Sequence, residues 1–516
     1  TLTNAIIDAS AGADGNGLGG YVDIYAGWVG SGNLTANASI LANGSGDGFG
    51  GSVYLTSFTG SLTLNHPSAG AQSISATGGG NAGSNADGGF IQVQAAGDLN
   101  LASGTIDVSS LSASGNGGTV VIAAGSGGLG KINFNQILTA NSGITSGNGG
   151  LVTLSASSAQ PITVSGGIQA DAFGKGDSGH IVYENRLETS ALNVDISGTV
   201  SANTEDGIAA SNEFRAINPN QNIVVNVLET GRISGPVTSK DGKSVKIEVR
   251  STSPGQLTVG EIKSGDVTIK YNAGELKLLE NSSISSTGNI LLSTKTLDNA
   301  GLIETDGLNK TIKVTNDQSL EIKGDGLLKT TGGGSDSGIF FESGTGDIKV
   351  LTNSVNWSAK GGASSNDGGQ ISLSTTGNIT FAGLLNPMLD VSGIDSGKGG
   401  SISIQAGKDL TLYGFLTADG SGNGLGGTVT LKGANVQTNG ILEIAANAGN
   451  KGNGGNIFVS ATNGNITMSN NAGSNFNVKG GTAEGDGGDV IFRASQDLTL
   501  LNAEINNSAR AKGNGG

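Results

Sequence analysis

The sequence predicts an all-β chain folded as a single right-handed parallel β-helix, a solenoid with about three strands per lap. Two observations carry this prediction. First, a Gly pair recurs and is followed each time by a six-residue apolar alternation. The copies after Gly399-Gly400, Gly426-Gly427, Gly454-Gly455 and Gly487-Gly488 read SISIQA, TVTLKG, NIFVSA and DVIFRA. Alternation of that kind marks a strand with one buried face, because successive side chains point to opposite sides. Second, the pairs recur roughly every 31 residues, which is a solenoid period.

The elements follow in order. Gly19-Gly20 precedes Val22 and Ile24, and Gly50-Gly51 precedes Val53 and Leu55. Ile91 and Val93, Val120 and Ile122, and Val152 and Leu154 repeat the phrase. Second strands read Leu34, Leu62-x-Leu64, Leu99-x-Leu101, Ile132-x-Phe134 and Ile162-x-Val164. Third strands read Ile74-x-Ala76, Ile106-x-Val108 and Ile168-x-Ala170. Val22, Val53, Ile91, Val120 and Val152 are expected in one inward ladder, and Ile371, Ile402, Val429, Ile457 and Val490 in another. The corners are rich in Gly, Asn, Asp and Ser, which suits positive φ. Asp87, Asn116, Asn148, Asp367, Asn453, Asp486 and Asn514 stand just before Gly pairs. They read as left-handed turn residues with side chains stacked in a ladder. A cation site there is disfavoured, because Asn and Lys398 share the slot and calcium wants several carboxylates together.

Three sections are expected in one continuous solenoid: regular laps over 1–200, irregular, shorter and more charged laps over 201–350, and regular laps over 351–516. Residues 201–230 read as an irregular lap or an insertion. Laps from about 231 to 350 are expected to be shorter, nearer ~22–27 residues. Residues 231–350 hold 14 of the 27 Lys and Arg, interleaved with acidic residues, and read as a solvated mixed-charge face.

Composition bounds both fold and function. Glycine is 92 of 516 residues and aromatics are 4%, which alone could signal disorder. Disordered Gly-rich chains, however, lack apolar alternation in register. One lap buries about seven or eight aliphatic side chains at ~1.5–3 kcal/mol each, against ~1–2 kcal/mol per ordered residue. No lap can therefore stand alone, and stability must come from neighbours. Parallel crossovers set the expected right hand. Roughly 17 laps at ~4.8 Å would give a rod of ~80 Å.

Cysteine is absent, so disulfides, thiolate metal sites and a Cys nucleophile are excluded. A net charge of −15 with no basic cluster argues against nucleic acid. No apolar run approaches the ~20 residues of a membrane span, so no transmembrane segment is expected. The only histidines, His66 and His180, lie in different laps and read as isolated surface residues. The six arginines are scattered, and no nucleophile, zinc or phosphate motif is present. The sequence thus assigns no catalytic, cofactor-binding or metal-ligating residue, no cofactor and no enzyme activity. Tyr21, Tyr25, Trp28, Tyr54 and Phe58 gather in the first two laps. They read first as filler between laps and second as a surface for sugar rings. The N-x-S/T triplets at Asn33, Asn37, Asn281, Asn356 and Asn465 are expected by chance at this composition.

The phrases GG-x-V-x-L-x-A, G-N-I-T-F/M at Gly377–Phe381 and Gly464–Met468, and I-x-A-x-G make about two thirds of the chain resemble the filamentous-haemagglutinin-type exoproteins of bacterial two-partner secretion. The resemblance implies a secreted fibre or adhesin stalk at the bacterial cell surface, structural or adhesive and without catalysis. It also implies an outer-membrane secretion transporter as partner. Surface glycans are further candidate partners, and a polysaccharide-binding or polysaccharide-cleaving β-helix is the alternative reading. Family secretion domains carry an N-P-N-G-I element. Here Asn218-Pro219-Asn220 is followed by Gln221, so that role is not carried over. No signal peptide is visible within the sequence, Thr1 does not read as a native start, and Gly515-Gly516 reads as the opening of another lap. The chain is therefore expected to continue at both ends, into further laps or into end-to-end copies.

Overall fold

The computed structural model describes residues 1–13, 15–66, 72–204, 211–352, 356–382, 388–510 and 512–516. These residues form strands and turns, and none is helical. Two compact units result, residues 1–252 with 260–262 and residues 253–259 with 263–516. Each unit is a stack of parallel strands, and together they make about 16 turns of β-solenoid.

In the first unit, Tyr21–Ala26, Ser52–Ser57, Phe90–Ala95, Thr119–Ala124, Leu151–Ala156 and His180–Asn185 pair in parallel, each with the next. Val22, Val53, Ile91, Val120 and Val152 stand in register and are buried, as the alternation predicted. The second strands stack Leu62 on Leu99 and Ile132, and the third strands stack Ile74 on Ile106, Leu138 and Ile168. Three such columns enclose a core of Val, Ile, Leu and Ala. In the second unit Ile371, Ile402, Val429, Ile457 and Val490 are in register, all buried except the half-buried Val490.

The Gly pairs precede the first strands as expected, but for a different physical reason. None of the pairs quoted above has positive φ. They are glycine because laps approach too closely there for a side chain. A Cβ on Gly50 would lie 2.1 Å from the Ala76 carbonyl oxygen, and one on Gly51 would lie 2.0 Å from that of Gly20. The second glycine also closes the corner: Gly51 N–H donates to Ala42 C=O at 2.7 Å, and Gly118 N–H to Val108 C=O at 2.7 Å.

The residues before the pairs correct the expectation in the same way. Asp87, Asn116, Asn148, Asp367, Asn453, Asp486 and Asn514 are not left-handed. The ladder itself is present: Asp87 Oδ1 accepts from Asn116 N–H, Asn116 Oδ1 from Asn148 N–H, and Asn148 Oδ1 from Asp177 N–H, at 2.7–2.9 Å. Each side chain thus satisfies a corner amide that no strand could pair. Lys398 fits the slot because its backbone N–H still donates to Asp367 Oδ1, which needs no side-chain acceptor of its own.

The middle laps are short, as predicted. Val267, Ile290, Ile312 and Ile339 stand in register, so successive laps take 22–27 residues. A single 31-residue strand, Gln256–Ser286, turns corners without Gly-rich loops. Its segments from Val267 onward pair with all three faces of the following lap. Of the irregular stretch 201–230, residues 205–210 lie outside the described residues. Asn212–Arg215 and Asn222–Val227 are ordinary lap strands. Asn218-Pro219-Asn220 is a turn that inserts buried Gln221, whose Nε2 donates to the Asn185 and Ser190 carbonyls.

Candidate functional site

Tyr21, Asp23 and Tyr25 are alternate residues of one strand and share its outward face, while Val22 and Ile24 point inward. The next lap sets Tyr54 beside Asp23. Two groups of rings result. Tyr21, Tyr54 and Phe90 form one, with centroids 5.2 and 5.3 Å apart. Tyr25, Trp28 and Phe58 form the other, with centroids 5.0–5.8 Å apart. Both tyrosines of the first strand lean inward over Asp23 and donate to its Oδ2, Tyr21 at 3.0 Å. That carboxylate pushes the Tyr25 phenol up to about 12 and raises that of Tyr21, so both hydroxyls stay protonated. Asp23 Oδ1 is buried and accepts no hydrogen bond among the described residues.

Trp28 is carried on a turn that the first strand opens. Gly27 and Gly30 have φ of 68° and 87°, a conformation that side chains resist. The indole is 73% exposed and Val29 91%, and Tyr21, Tyr25 and Phe58 are exposed as well. The rings therefore do bridge neighbouring laps, as the filler reading expected, but they also remain open to solvent.

A second polar cluster involves His180, which is not the isolated surface residue expected. Its Nε2 lies 2.8 Å from Oε2 of buried Glu213, one lap on. Arg215 Nε donates to Glu213 Oε1 at 2.9 Å. His180, then Arg215, holds the Glu213 carboxyl down to about 2, against the opposing effect of burial. Beneath this cluster Tyr183 stacks on Phe214, centroids 5.0 Å apart. No sequence spacing links these residues, because they meet only through lap register. His66 Nε2 lies 3.1 Å from Ser39 Oγ.

A shallow polar recess is lined by Asp409, Asn435, Gln437, Asn465 and Thr467. It lies along another corner ladder, in which Asp347, Asn378, Asn435 and Asn465 each accept from the next lap's N–H at 2.8–3.1 Å. The N-x-T triplet at Asn465 thus has a structural use, as does Asn33, whose Oδ1 accepts from Ser61 N–H. Among the described residues no three His, Asp or Glu side chains converge to hold a metal ion. No described helix is long and apolar enough to cross a membrane.

The fold and these surfaces define the chain as a β-solenoid with one concentrated aromatic face. No family model, curated protein or solved structure matches it.

Proposed function

We propose that this chain is part of a secreted bacterial cell-surface fibre of the filamentous-haemagglutinin kind, a structural or adhesive stalk that does no catalysis. The observation that supports this reading is how the repeat uses its residues. In the regular laps the Gly pairs and the inward apolar positions serve contact with the adjoining laps, and so do the corner side chains of Asp87 and Asn116. Such a protein gains length by adding laps. Absence of Cys suits passage through an oxidising periplasm, on the way to an outer-membrane transporter.

Antibodies against residues 1–516, applied to intact source cells with gold labelling, test it. Label on the cell exterior is expected, and its loss on deletion of a neighbouring outer-membrane transporter gene. Label only after permeabilisation refutes it. Incubation with pectin, glucan or chitin should release no new chain ends. Turnover that one Asp or Glu substitution abolishes would overturn the non-catalytic part.

A further inference from the structure

The aromatic face is unlike the rest of the outer surface. Three of the six tyrosines and one of the two tryptophans lie within residues 21–54. Stacking does not require rings there, because the same outward positions in later laps hold Thr119, Val121, Thr153 and Ser403. The rings lie tilted at 37–42° to their neighbours, apart from the edge-on Trp28–Phe58 pair, and they flank one carboxylate. From Tyr21 to Tyr25 the strand spans about 13 Å, more than one pyranose ring.

The ligand chemistry follows from what surrounds the rings. Residues 1–130 contain seven Asp and no Lys, Arg or Glu. An anionic partner such as a polyuronate, a nucleic acid or an acidic lipid surface would be repelled there and find no cationic partner. A quaternary ammonium group wants rings folded around a point. These rings instead spread side by side along a strand face and the turns that follow it, and Asp23 Oδ2 already holds two phenols. A neutral sugar fits each feature. Its C–H face packs on an aromatic face, and its hydroxyls meet the phenol oxygens that Asp23 holds in place.

We propose that the face formed by Tyr21, Tyr25, Trp28, Tyr54 and Phe58 around Asp23 binds a neutral polysaccharide. This deepens the adhesive half of the function proposed above and rests on it only for where the ligand is met. Purified 516-residue protein is titrated by calorimetry with cello-, manno-, galacto- and xylo-hexaose. Polygalacturonate, choline and vesicles of phosphatidylcholine with phosphatidylglycerol are titrated in parallel. Trp357 is buried, so a change in the red-shifted tryptophan emission reports Trp28. At least one neutral hexaose is expected to bind and to shift that emission. Trp28→Ala and Tyr25→Ala should each weaken it about threefold to tenfold, and Tyr25→Phe, which keeps the ring, should weaken it less. Trp28 and Tyr25 are both exposed, and unchanged circular dichroism would confirm intact laps. Four results would overturn the proposal: no neutral hexaose bound at millimolar concentration, binding indifferent to Trp28→Ala, binding of the charged probes alone, or self-association that Trp28→Ala abolishes. None of these bears on the cell-surface labelling, so either reading can fail alone.

Discussion

Gly118→Ala tests the stacking rule directly. The added Cβ would sit 2.2 Å from the Gly89 carbonyl oxygen and 2.8 Å from the Gly88 carbonyl carbon, whereas ordinary contact begins at 3.4 Å. Both obstacles are backbone of the adjoining lap, so no side chain can swing aside. The laps must part by about 1 Å, well beyond the freedom of a close-packed interior. Two hydrogen bonds lie in that gap, Thr119 N–H to Gly89 C=O at 2.9 Å and Gly118 N–H to Val108 C=O at 2.7 Å. An interior polar group left unpaired costs about 1–3 kcal/mol. The local loss should therefore be about 3–5 kcal/mol. A melting temperature is a poor readout, since long repeat arrays do not unfold in one step. Amide hydrogen exchange resolves laps individually. Peptides spanning 88–124 should lose protection by about two orders of magnitude or more, and peptides of the second unit should not change. The control is Gly128→Ala, because a Cβ at Gly128 meets nothing within 4 Å. Equal exchange in the two variants would refute close approach as the reason for the Gly pairs.

Two further predictions concern the polar groups between laps. Glu213 has a folded-state pKa of about 2, below the ordinary value of 4.5. Its ionised form therefore stabilises fully above about pH 4.5, and the contribution is lost as pH falls toward 2. Glu213→Gln should lower the stability of its lap at pH 7 by about 2–3 kcal/mol. Exchange measured from pH 7 downward should show variant and wild type converging across that window, and a constant difference would sink the ion-pair account. Asn435 donates from Nδ2 to Asp409 Oδ1 at 2.7 Å and accepts Asn465 N–H at 2.9 Å. Asn435→Asp keeps the acceptor but sets two carboxylates side by side, while Asn435→Ala loses both bonds at about 1 kcal/mol each. Only Asn435→Asp should regain stability below about pH 4, and identical pH profiles for the two variants would refute the ladder.

Inward positions were legible in the sequence because burial leaves a period. Val53 and Leu55 alternate with Tyr54 whatever lap they belong to, and parallel pairing repeats the same phrase one turn later. The Gly pairs were equally visible, but their cause was not. Sequence records φ preference, which pointed to left-handed turns, and does not record how near the next lap's carbonyl lies. Glycine answers both demands, and only the 2.0 Å approach of a Gly51 Cβ to Gly20 distinguishes them. The same limit hid the partner of His180. Glu213 is 33 residues away and becomes a neighbour only through the register that sets Val182 against Glu213.

Outward positions follow another logic, and this is why the aromatic face was only half readable. An inward valine is fixed by the valines above and below it, whereas an outward residue answers to solvent or to a ligand. Outward positions therefore carry no repeat for a reader to follow. What they can carry is a local coincidence. Tyr21-x-Asp23-x-Tyr25 puts two phenols and a carboxylate on one face of one strand, and the alternation rule alone establishes that much. The sequence could not show that both rings lean inward over Asp23, nor that Tyr54 and Phe58 of the next lap widen the surface. Those facts depend on register between laps 31 residues apart, as in Asp23 beside Tyr54. A solenoid thus separates its sequence into two texts. The inward one repeats and specifies stacking. The outward one does not repeat, and the place where it departs most from small polar residues, around Asp23, is where a partner is to be sought.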